Sequence, residues 1–440
     1  MLQTLFQIPA TIGDVPLFGK FGIITIAWAC WCVVYAILFS RKTGWTSELI
    51  SSLGVMALIE VILIVVVPNI MVTNEKGELG IAIRGYGVMF LLGIVSGVGL
   101  SVWRGQKVGM PADLILSLAL WIFAAGMIGA RAFYVIEYWP HFQRETLGET
   151  IGAVLNITQG GLVVFGGLIG ALGAILVFAR KHKLPLLPLA DMATPGMMLG
   201  LAFGRIGCFF NGCCFGDVCD APWPRSVEFP PNTPPYERQF EQGRAYGFQI
   251  IAAQKELTAD AKATPLITLV EPGSPAARAG LIDGEPVITI DGLPIADVEQ
   301  ARFALRHAYE KQHLPLQLTT TRGSYSIAPY DGMAVHSRPV HPAQIYSSID
   351  AFLATLLLLA FTPLARRDGE TFALFLSVHA VSRFLLEVIR IDEPGMFGTQ
   401  LSISQLISVG LLALGVGLWL YIERKPPGFA WPRQQAKPAA

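Results

Sequence analysis

The sequence predicts an all-α integral membrane bundle of about nine transmembrane helices, with one small α+β domain inserted outside the membrane. Three observations predict this fold: the composition, the lengths of the apolar segments, and a change of character after residue 220. Of the 440 residues, 53% are hydrophobic and 15% are charged. A soluble protein contains about 25% charged residues, so this composition is typical of a membrane protein. The formal net charge is zero, and no nucleic-acid partner is expected.

Nine segments have the roughly 20 mainly apolar residues that a helix needs to cross a bilayer. The predicted spans are 20–40, 49–71, 84–103, 114–137, 161–180, 187–209, 343–362, 371–390 and 401–422.

Basic residues are concentrated in alternate short loops, which predicts the orientation of these helices. Arg41, Arg104 and Arg180, each with a lysine nearby, follow the first, third and fifth spans. Loops enriched in lysine and arginine face the cytoplasm. The N-terminus and residues 210–341 are therefore predicted outside the cytoplasm, and the C-terminus inside it.

The pattern of spans and the proline-rich stretch after residue 220 divide the chain into five predicted segments. These are two extra N-terminal transmembrane helices (1–80), the first part of a helical core (81–220), an extracytoplasmic insertion (221–338), the last three helices of the core (339–425) and a cytoplasmic tail (426–440).

Residues 271–305 of the insertion carry strong turn and cap signals. They predict a turn at Pro272-Gly273, a helix over 274–279 that ends at Gly280, a strand over Val287–Ile290, a turn at Asp291-Gly292 and a helix near 297–309. This run resembles a PDZ domain, and such domains bind peptides by adding a strand to a sheet edge. In AYGFQI (245–250), Gly247 and Phe248 lie where PDZ domains hold a peptide carboxylate. The alternative is a structural lid or spacer without a peptide ligand.

One arginine lies inside an apolar run near the end of the sixth span. Arg205 belongs to GRIGCFFNGCCFG (204–216), and an unpaired charge at the centre of a membrane helix costs roughly 2.5–3.5 kcal/mol on insertion scales. We expect an anionic partner, either a protein carboxylate or a lipid phosphate.

The eighth span carries a polar stripe. His379, Arg383 and Glu387 follow at intervals of four residues, with Arg390 three further on, and positions four apart share one face of a helix. An intrahelical pair of Arg383 with Glu387 is the plainer account. Two arginines that face a cavity also suit a phosphodiester, because guanidinium binds phosphate oxygens bidentately. We favour a phospholipid head-group site.

The run 204–216 resembles the signature of the bacterial prolipoprotein diacylglyceryl transferases, and five further segments resemble the family in its order. These are IRGYGVMF (83–90), GARAFYVIEY (129–138), the glycine-rich 159–180, HPAQIYSSIDA (341–351) and AVSRFLLEVIR (380–390). The resemblance covers about 84–216 and 341–422, nearly all of a seven-helix transferase core. The two N-terminal helices and the insertion suggest an elaborated, planctomycete-type branch.

The resemblance implies a multi-pass enzyme of the bacterial cytoplasmic (inner) membrane. Such an enzyme transfers diacylglycerol from phosphatidylglycerol to the lipobox cysteine thiol of a preprolipoprotein, forms a thioether and releases glycerol phosphate. Neither a cofactor nor a metal is expected. The predicted catalytic residues are Arg205, His379, Arg383 and Glu387. The predicted substrate-binding residues are Tyr86, Arg131, Asp191, Asn211, Gly216, His341, Gln344 and Tyr346. Asp191 is expected either to form an ion pair with Arg205 or to cap the backbone near Pro188, and the sequence does not decide between these roles.

The sequence departs from the family at three positions. Phe165 replaces a histidine that precedes Gly-Gly, Cys208 replaces an asparagine and Cys213 replaces an acidic residue. A base assigned to that histidine cannot transfer to phenylalanine. We hypothesise that His379 takes part in proton transfer, with His341 as a second candidate, or that no dedicated base exists.

The four clustered cysteines lack the paired CxxC spacing of zinc sites, so no metal is expected there. They are interpreted as small residues near a tight backbone, or as one or two disulfides that pin the signature loop. The cysteines are Cys208, Cys213, Cys214 and Cys219.

Three other functions were weighed. An intramembrane metalloprotease needs His-Glu-x-x-His, and the chain contains no His-Glu pair. A transporter is disfavoured because the core shows no inverted repeat. A catalytically inactive relative that binds lipid and peptide as a receptor is the main alternative, although idle charges inside a membrane are expensive to keep.

Overall fold

The computed structural model describes residues 4–13, 15–73, 77–144, 146–156, 160–219, 226–252, 265–309, 315–333, 335–390, 399 and 401–431. Within these ranges nine helices are long and apolar enough to cross a membrane, and each matches a predicted span. They run over Ile23–Lys42, Leu49–Asn69, Gly85–Lys107, Ala112–Glu137, Val164–Lys181, Leu186–Asn211, Ala343–Phe361, Glu370–Val388 and Ile403–Glu423. The fold is mostly helical, as the sequence predicts.

The chain forms two compact units, residues 1–88 and 89–440. The first contains a small antiparallel sheet that the apolar pattern did not predict. Strand Leu79–Arg84 lies in the middle and pairs with Thr4–Pro9 on one side and with Val72–Thr73 on the other. A second pair joins Thr11–Ile12 to Val15–Pro16. The six residues of Thr4–Pro9 and of Leu79–Arg84 do not alternate between apolar and polar side chains, which is the pattern that predicts a half-buried strand.

The second helix of this unit widens into a π-helical turn over Ile62–Val66, just before Pro68. Proline has no N–H to donate and its ring crowds the carbonyl four residues earlier. A local π turn accommodates both defects without ending the helix.

Glycines bring the helices of the second unit into backbone contact. A Cβ atom on Gly97 would lie 2.6 Å from the Gly196 carbonyl oxygen, and one on Gly196 would lie 2.3 Å from that of Gly97. Gly129 and Gly166 form the same arrangement between Ala112–Glu137 and Val164–Lys181, with each Cβ 2.4 Å from the opposite carbonyl oxygen. Small residues at helix crossings are the usual means of close packing in membranes.

Gly97→Ala is expected to destabilise the second unit by about 1–3 kcal/mol, because the methyl group overpacks a backbone contact. Gly99→Ala is the matched control, since a Cβ there meets nothing within 4 Å. Thermal unfolding of both variants in the same detergent measures the difference. Equal stabilities would contradict the close crossing.

The insertion contains two short sheets and several helices around one apolar core. One sheet has the order Ser324–Ile327, Leu316–Thr320, Val287–Ile290, Leu293–Pro294, and the other pairs Gln249–Ala252 with Pro265–Thr268. The helices are Pro234–Glu241, Pro275–Arg278 and Val298–Tyr309. The largest buried side chains are those of Tyr236, Phe240, Tyr246, Phe248 and Leu305.

The local predictions for 271–309 are confirmed. Ser274 caps the short helix by accepting from the Ala277 amide, and Gly280 has a left-handed φ of 85°. The strand Val287–Ile290 and the turn at Asp291-Gly292 also form where they were expected.

Buried ion pairs connect the insertion to the loop that follows the sixth long helix. Arg244 lies 3.3 Å from Asp217 and 3.1 Å from Glu271, and Arg338 lies 2.8 Å from Glu271. Arg338 also stacks over the Tyr330 ring at 4.4 Å. Glu271 therefore compensates both Arg244 and Arg338.

Glu271→Gln is expected to destabilise the insertion by about 3–5 kcal/mol, because it breaks the ion pairs of this buried carboxylate with Arg244 and Arg338. Limited proteolysis and thermal unfolding of the whole chain would measure this loss. The control is Glu299→Gln, which removes an exposed pair with Arg302 worth about 0.3–0.5 kcal/mol. A Glu271 variant as stable as the control would contradict the stabilising role of these ion pairs.

Candidate active site

The helix Leu186–Asn211, here called the signature helix, ends in a left-handed turn. Gly212 has a φ of 72°, the Cys213 amide donates to the Cys208 carbonyl at 3.1 Å, and the Gly212 amide donates to the Phe209 carbonyl at 3.2 Å. A glycine in this conformation is a common helix terminator. The following residues, 212–219, are called the signature loop and fold back beside the helix end.

The signature loop lies between two other elements. The Gly216 amide donates to the His341 carbonyl at 2.8 Å, and the Asp217 amide donates to the Ile389 carbonyl at 3.1 Å. A Cβ atom on Gly216 would lie 2.8 Å from the Cβ of His341 and 3.2 Å from the Ile389 oxygen. Gly216 is thus required by backbone packing, which joins the signature loop to the helices Ala343–Phe361 and Glu370–Val388.

The helix Glu370–Val388, here called the stripe helix, presents the predicted polar face. Arg383 lies 2.5 Å from Glu387, Arg390 lies 3.9 Å from the same carboxylate, and Arg383 donates to the Ser404 hydroxyl at 3.0 Å. Glu387 is buried. The intrahelical pair predicted as the plainer account is therefore present, and it holds Arg383 in a fixed orientation.

Arg205 is not neutralised in the same way. Its Nε atom is buried and has no hydrogen-bond partner in the described part of the chain. Its charge acts on the Cys214 thiol and on the His379 ring, which places it within the same cluster. Glu387, the nearest carboxylate of the stripe, is occupied by Arg383 and Arg390.

Other buried polar atoms near these residues also lack a hydrogen-bond partner among the described residues. They include Oε1 of Gln344, the Tyr346 hydroxyl and Oε1 of Glu387. Gln344 uses its other amide atom to donate to the Cys213 carbonyl at 2.7 Å, and the Tyr346 ring lies 6.4 Å from that of His341. Buried polar atoms are normally paired, and clustered exceptions mark a site for a polar ligand.

His379 packs within this cluster beside an acid that the sequence analysis missed. Its ring stacks on Phe375 at 5.5 Å, and the charges of Asp350, Arg383 and Arg205 act on it. Asp350 accepts a hydrogen bond from the Ser382 hydroxyl at 2.8 Å. A carboxylate in the apolar segment 343–362 was itself a signal, because ionisable residues inside membranes are rarely without function.

Three thiols meet beside these arginines. The sulfur atoms of Cys208, Cys213 and Cys214 lie within 4.8 Å of one another, and no disulfide joins cysteines in the described part of the chain. The disulfide interpretation of the signature loop is therefore wrong for this structure. Hydrogen bonds with Cys208 and Cys213, and to a smaller degree the charges of Arg390 and Arg205, lower the pKa of the Cys214 thiol. The Cys213 thiol lies 3.7 Å from the Cys208 carbonyl oxygen, to which it donates, and the Asn211 side chain acts on the same thiol.

The family model described as prolipoprotein diacylglyceryl transferase matches residues 77–421. The chain belongs to this family. Three relatives carry the name phosphatidylglycerol–prolipoprotein diacylglyceryl transferase. One from Rhodopirellula baltica is 35% identical over 94% of this chain and 87% of its own length. One from Synechocystis is 39% identical over 34% of this chain and 51% of its own length. One from Bacillus cereus is 25% identical over 77% of this chain and 87% of its own length. The match begins after the helices Ile23–Lys42 and Leu49–Asn69.

Asp191, which family resemblance suggested for substrate binding, lies elsewhere in this transferase. Its carboxylate accepts hydrogen bonds from the Gly369 amide at 2.6 Å and the Phe372 amide at 2.8 Å. It therefore caps the stripe helix at the end opposite Arg383. Fourteen residues of helix separate it from Arg205, roughly 21 Å. The predicted pair with Arg205 and the cap near Pro188 are both wrong.

Arg131 is also committed to the protein itself. Its five N–H groups donate to the backbone carbonyls of Ala153, Val154, Asn156, Gly160 and Gly161 at 2.7–3.0 Å. These carbonyls belong to the end of the short helix Leu147–Leu155 and the segment after it. No guanidinium donor remains for a substrate, so the predicted binding role is corrected to that of a cap.

Two further positions named from the family resemblance lie at the starts of helices and are partly exposed. Tyr86 lies in the first turn of Gly85–Lys107 and is about half exposed, at 41%. Phe165, at the family's histidine position, lies in the first turn of Val164–Lys181 and is 46% exposed.

The predicted carboxylate-binding loop of the insertion is not available to a peptide. The Gly247 amide donates to the Arg244 carbonyl at 3.2 Å, and the Phe248 amide donates to the Gly243 carbonyl at 3.3 Å. The Phe248 side chain is fully buried in the core. Gly247 is needed for another reason, since its φ is 87° and a Cβ would lie 2.2 Å from that of Ser274.

Proposed function

We propose that this chain transfers diacylglycerol from phosphatidylglycerol to the lipobox cysteine of a preprolipoprotein, forming a thioether and releasing glycerol phosphate. The observation that carries this proposal is the buried, unpartnered Nε of Arg205 beside the stripe helix. Membership of the transferase family and the names of the relatives support the substrate assignment.

The charge balance of the site favours an anionic head group. Glu387 pairs with Arg383 and Arg390, whereas the buried Nε of Arg205 has no hydrogen-bond partner among the described residues. A phosphodiester would supply the missing negative charge and could accept two parallel hydrogen bonds from one guanidinium. Glu387 acts as a positioning residue, because it fixes Arg383 and Arg390 without using the N–H groups of Arg205.

The same geometry suits stabilisation of the leaving group. As the bond between the glycerol carbon and the phosphate oxygen breaks, negative charge grows on the departing glycerol phosphate. Arginines that are already oriented in a water-poor site stabilise this charge without reorganisation. The thiol sulfur forms the new bond to the same carbon, and the electron pair of the broken bond leaves with the phosphate oxygen.

We further propose His379 as the group that takes the thiol proton. The charges of Asp350 and of two arginines meet at this ring, and His341 stays the second candidate. Tyr86, Gln344, Tyr346 and Asn211 are proposed to contact the head group or the peptide through their polar atoms.

The proposed orientation places the site on the extracytoplasmic side. The helices Ile23–Lys42, Gly85–Lys107 and Val164–Lys181 each have two basic residues in the last turn. These turns would face the cytoplasm under the positive-inside rule. The signature helix then ends at the outer face, where secreted lipoproteins would reach it, and the C-terminus lies in the cytoplasm.

We propose that the insertion serves as a structural clamp on the signature loop. Its ion pairs through Arg244 and Glu271 reach Asp217, next to Gly216. The internally bonded amides of Gly247 and Phe248 disfavour a peptide ligand there.

Arg205→Gln is expected to reduce transfer about 100- to 1,000-fold, the usual loss for one electrostatic donor in a preorganised site. The assay is transfer of labelled glycerolipid from phosphatidylglycerol to a lipobox peptide by the purified chain. Arg180→Gln is the control, because Arg180 is exposed in a last helical turn far along the sequence from the site. Full transfer by Arg205→Gln would refute the role of Arg205 in phosphate binding. If the unmodified chain binds phosphatidylglycerol but transfers no lipid, the alternative of a lipid-binding receptor is favoured.

His379→Gln is expected to lower the rate of transfer about 100- to 10,000-fold, the range for loss of a general base. Its pH profile should lose the limb that depends on the imidazole, whereas a merely structural residue would leave the shape unchanged. His307→Gln, in the helix Val298–Tyr309 of the insertion, is the matched control. Unchanged activity and pH dependence in His379→Gln would eliminate this base.

A further inference from the structure

The sequence spacing of the cysteines argued against a metal, but the fold brings three of them together. The sulfur atoms of Cys208, Cys213 and Cys214 lie within 4.8 Å of one another. Zinc–sulfur bonds are about 2.3 Å long, so sulfur ligands of one tetrahedral ion lie about 3.8 Å apart. Sub-ångström shifts of the side chains suffice to reach this geometry.

The conformation of the backbone around these cysteines brings their three thiols together. Cys214 has a φ of 59°, a left-handed conformation that a residue with a β-carbon rarely adopts and that is concentrated at functional sites. The helix-ending turn at Gly212 brings the Cys213 amide onto the Cys208 carbonyl. The Gln344 amide then holds the Cys213 carbonyl at 2.7 Å, so a third element fixes the loop.

The surroundings of the trio suit an ion with thiolate ligands. The charges of Arg390 and Arg205 act on Cys214, and they would offset the net charge of −1 that three thiolates and a divalent ion carry. All three cysteines are partly accessible. Three protein ligands and one open position are the pattern of catalytic zinc sites, whereas structural sites are closed by four.

We infer that Cys208, Cys213 and Cys214 form a site for a thiophilic divalent cation such as zinc, with an open position that takes the lipobox thiol. The second part rests on the proposed function. Thiolates are the form in which sulfur binds metals, so the substrate thiol would release its proton on binding, to His379 or to water. Its sulfur then forms the C–S bond while the glycerol C–O bond breaks and glycerol phosphate leaves with the electron pair.

This inference assigns a role to residues that the sequence analysis singled out. Cys208 and Cys213 supply two of the three ligands, and Phe165 offers no proton acceptor. A cation at the trio would hold the acceptor thiol beside Arg205 in a chain that lacks the base at position 165.

The test is cobalt(II) and zinc binding by the purified, reduced, full-length chain in detergent, followed by elemental analysis and by the sulfur-to-cobalt charge-transfer absorption. We expect one ion per chain. Loss of a residue that only hydrogen-bonds a metal ligand lowers metal affinity about 10–100-fold. Loss of a ligand itself should cost at least as much, so Cys208→Ser, Cys213→Ser and Cys214→Ser should each weaken cobalt binding by that factor or more. Cys219→Ser and Cys30→Ser are the matched controls and should bind as the unmodified chain does, since both lie outside the trio.

Addition of a lipobox peptide should change the cobalt absorption, whereas the same peptide with serine for cysteine should not. Metal-free protein should lose transfer and regain it with zinc. Binding no tighter than in the triple serine variant, or a disulfide within the trio of the protein isolated without reductant, would overturn the site. Full transfer by metal-free protein would overturn its role with the thiol. If no form of the chain transfers lipid, the proposed function fails, and the cobalt spectrum still decides the ion site.

Discussion

The compensation of arginine charge inside apolar helices is the constraint on which the site depends. Glu387 compensates Arg383 and Arg390, and this pairing orients the stripe helix. Arg205 keeps a buried Nε without a partner in the described residues, and intramembrane charges are too costly to be left idle. Arg383 and Arg390 are therefore paired within the protein, whereas Arg205 is available to bind an anion.

Other charged residues secure the position of that group. Asp191 caps the far end of the stripe helix and so connects the signature helix, which carries Arg205, to the stripe helix, which carries Arg383. Arg104 donates to the Asp191 and Met192 carbonyls and holds the signature helix to Gly85–Lys107. At the opposite end, the signature loop bonds to His341 and Ile389. The two helices are thus fixed to each other at both ends, which holds their arginines in a constant relation.

The sequence predicted the features that depend on local periodicity. Apolar length identified the nine membrane-length helices found among the described residues, and spacing by four predicted that His379, Arg383 and Glu387 share one face. It failed for features that depend on distant partners. Asp191 bonds to residues almost 180 positions away, and Arg131 caps a short helix that no motif connected to it. The cysteine trio required a left-handed Cys214, which propensity disfavours and which only the surrounding fold imposes.

The central claim is that Arg205 completes a phosphate-binding site, and lipid binding tests it most directly. Native mass spectrometry of the purified chain would compare phosphatidylglycerol with diacylglycerol, which has the same acyl chains and no phosphate. The account predicts a clear preference for phosphatidylglycerol that Arg205→Gln abolishes while diacylglycerol binding is unchanged. Equal binding of the two lipids, or a preference that survives in Arg205→Gln, would contradict it.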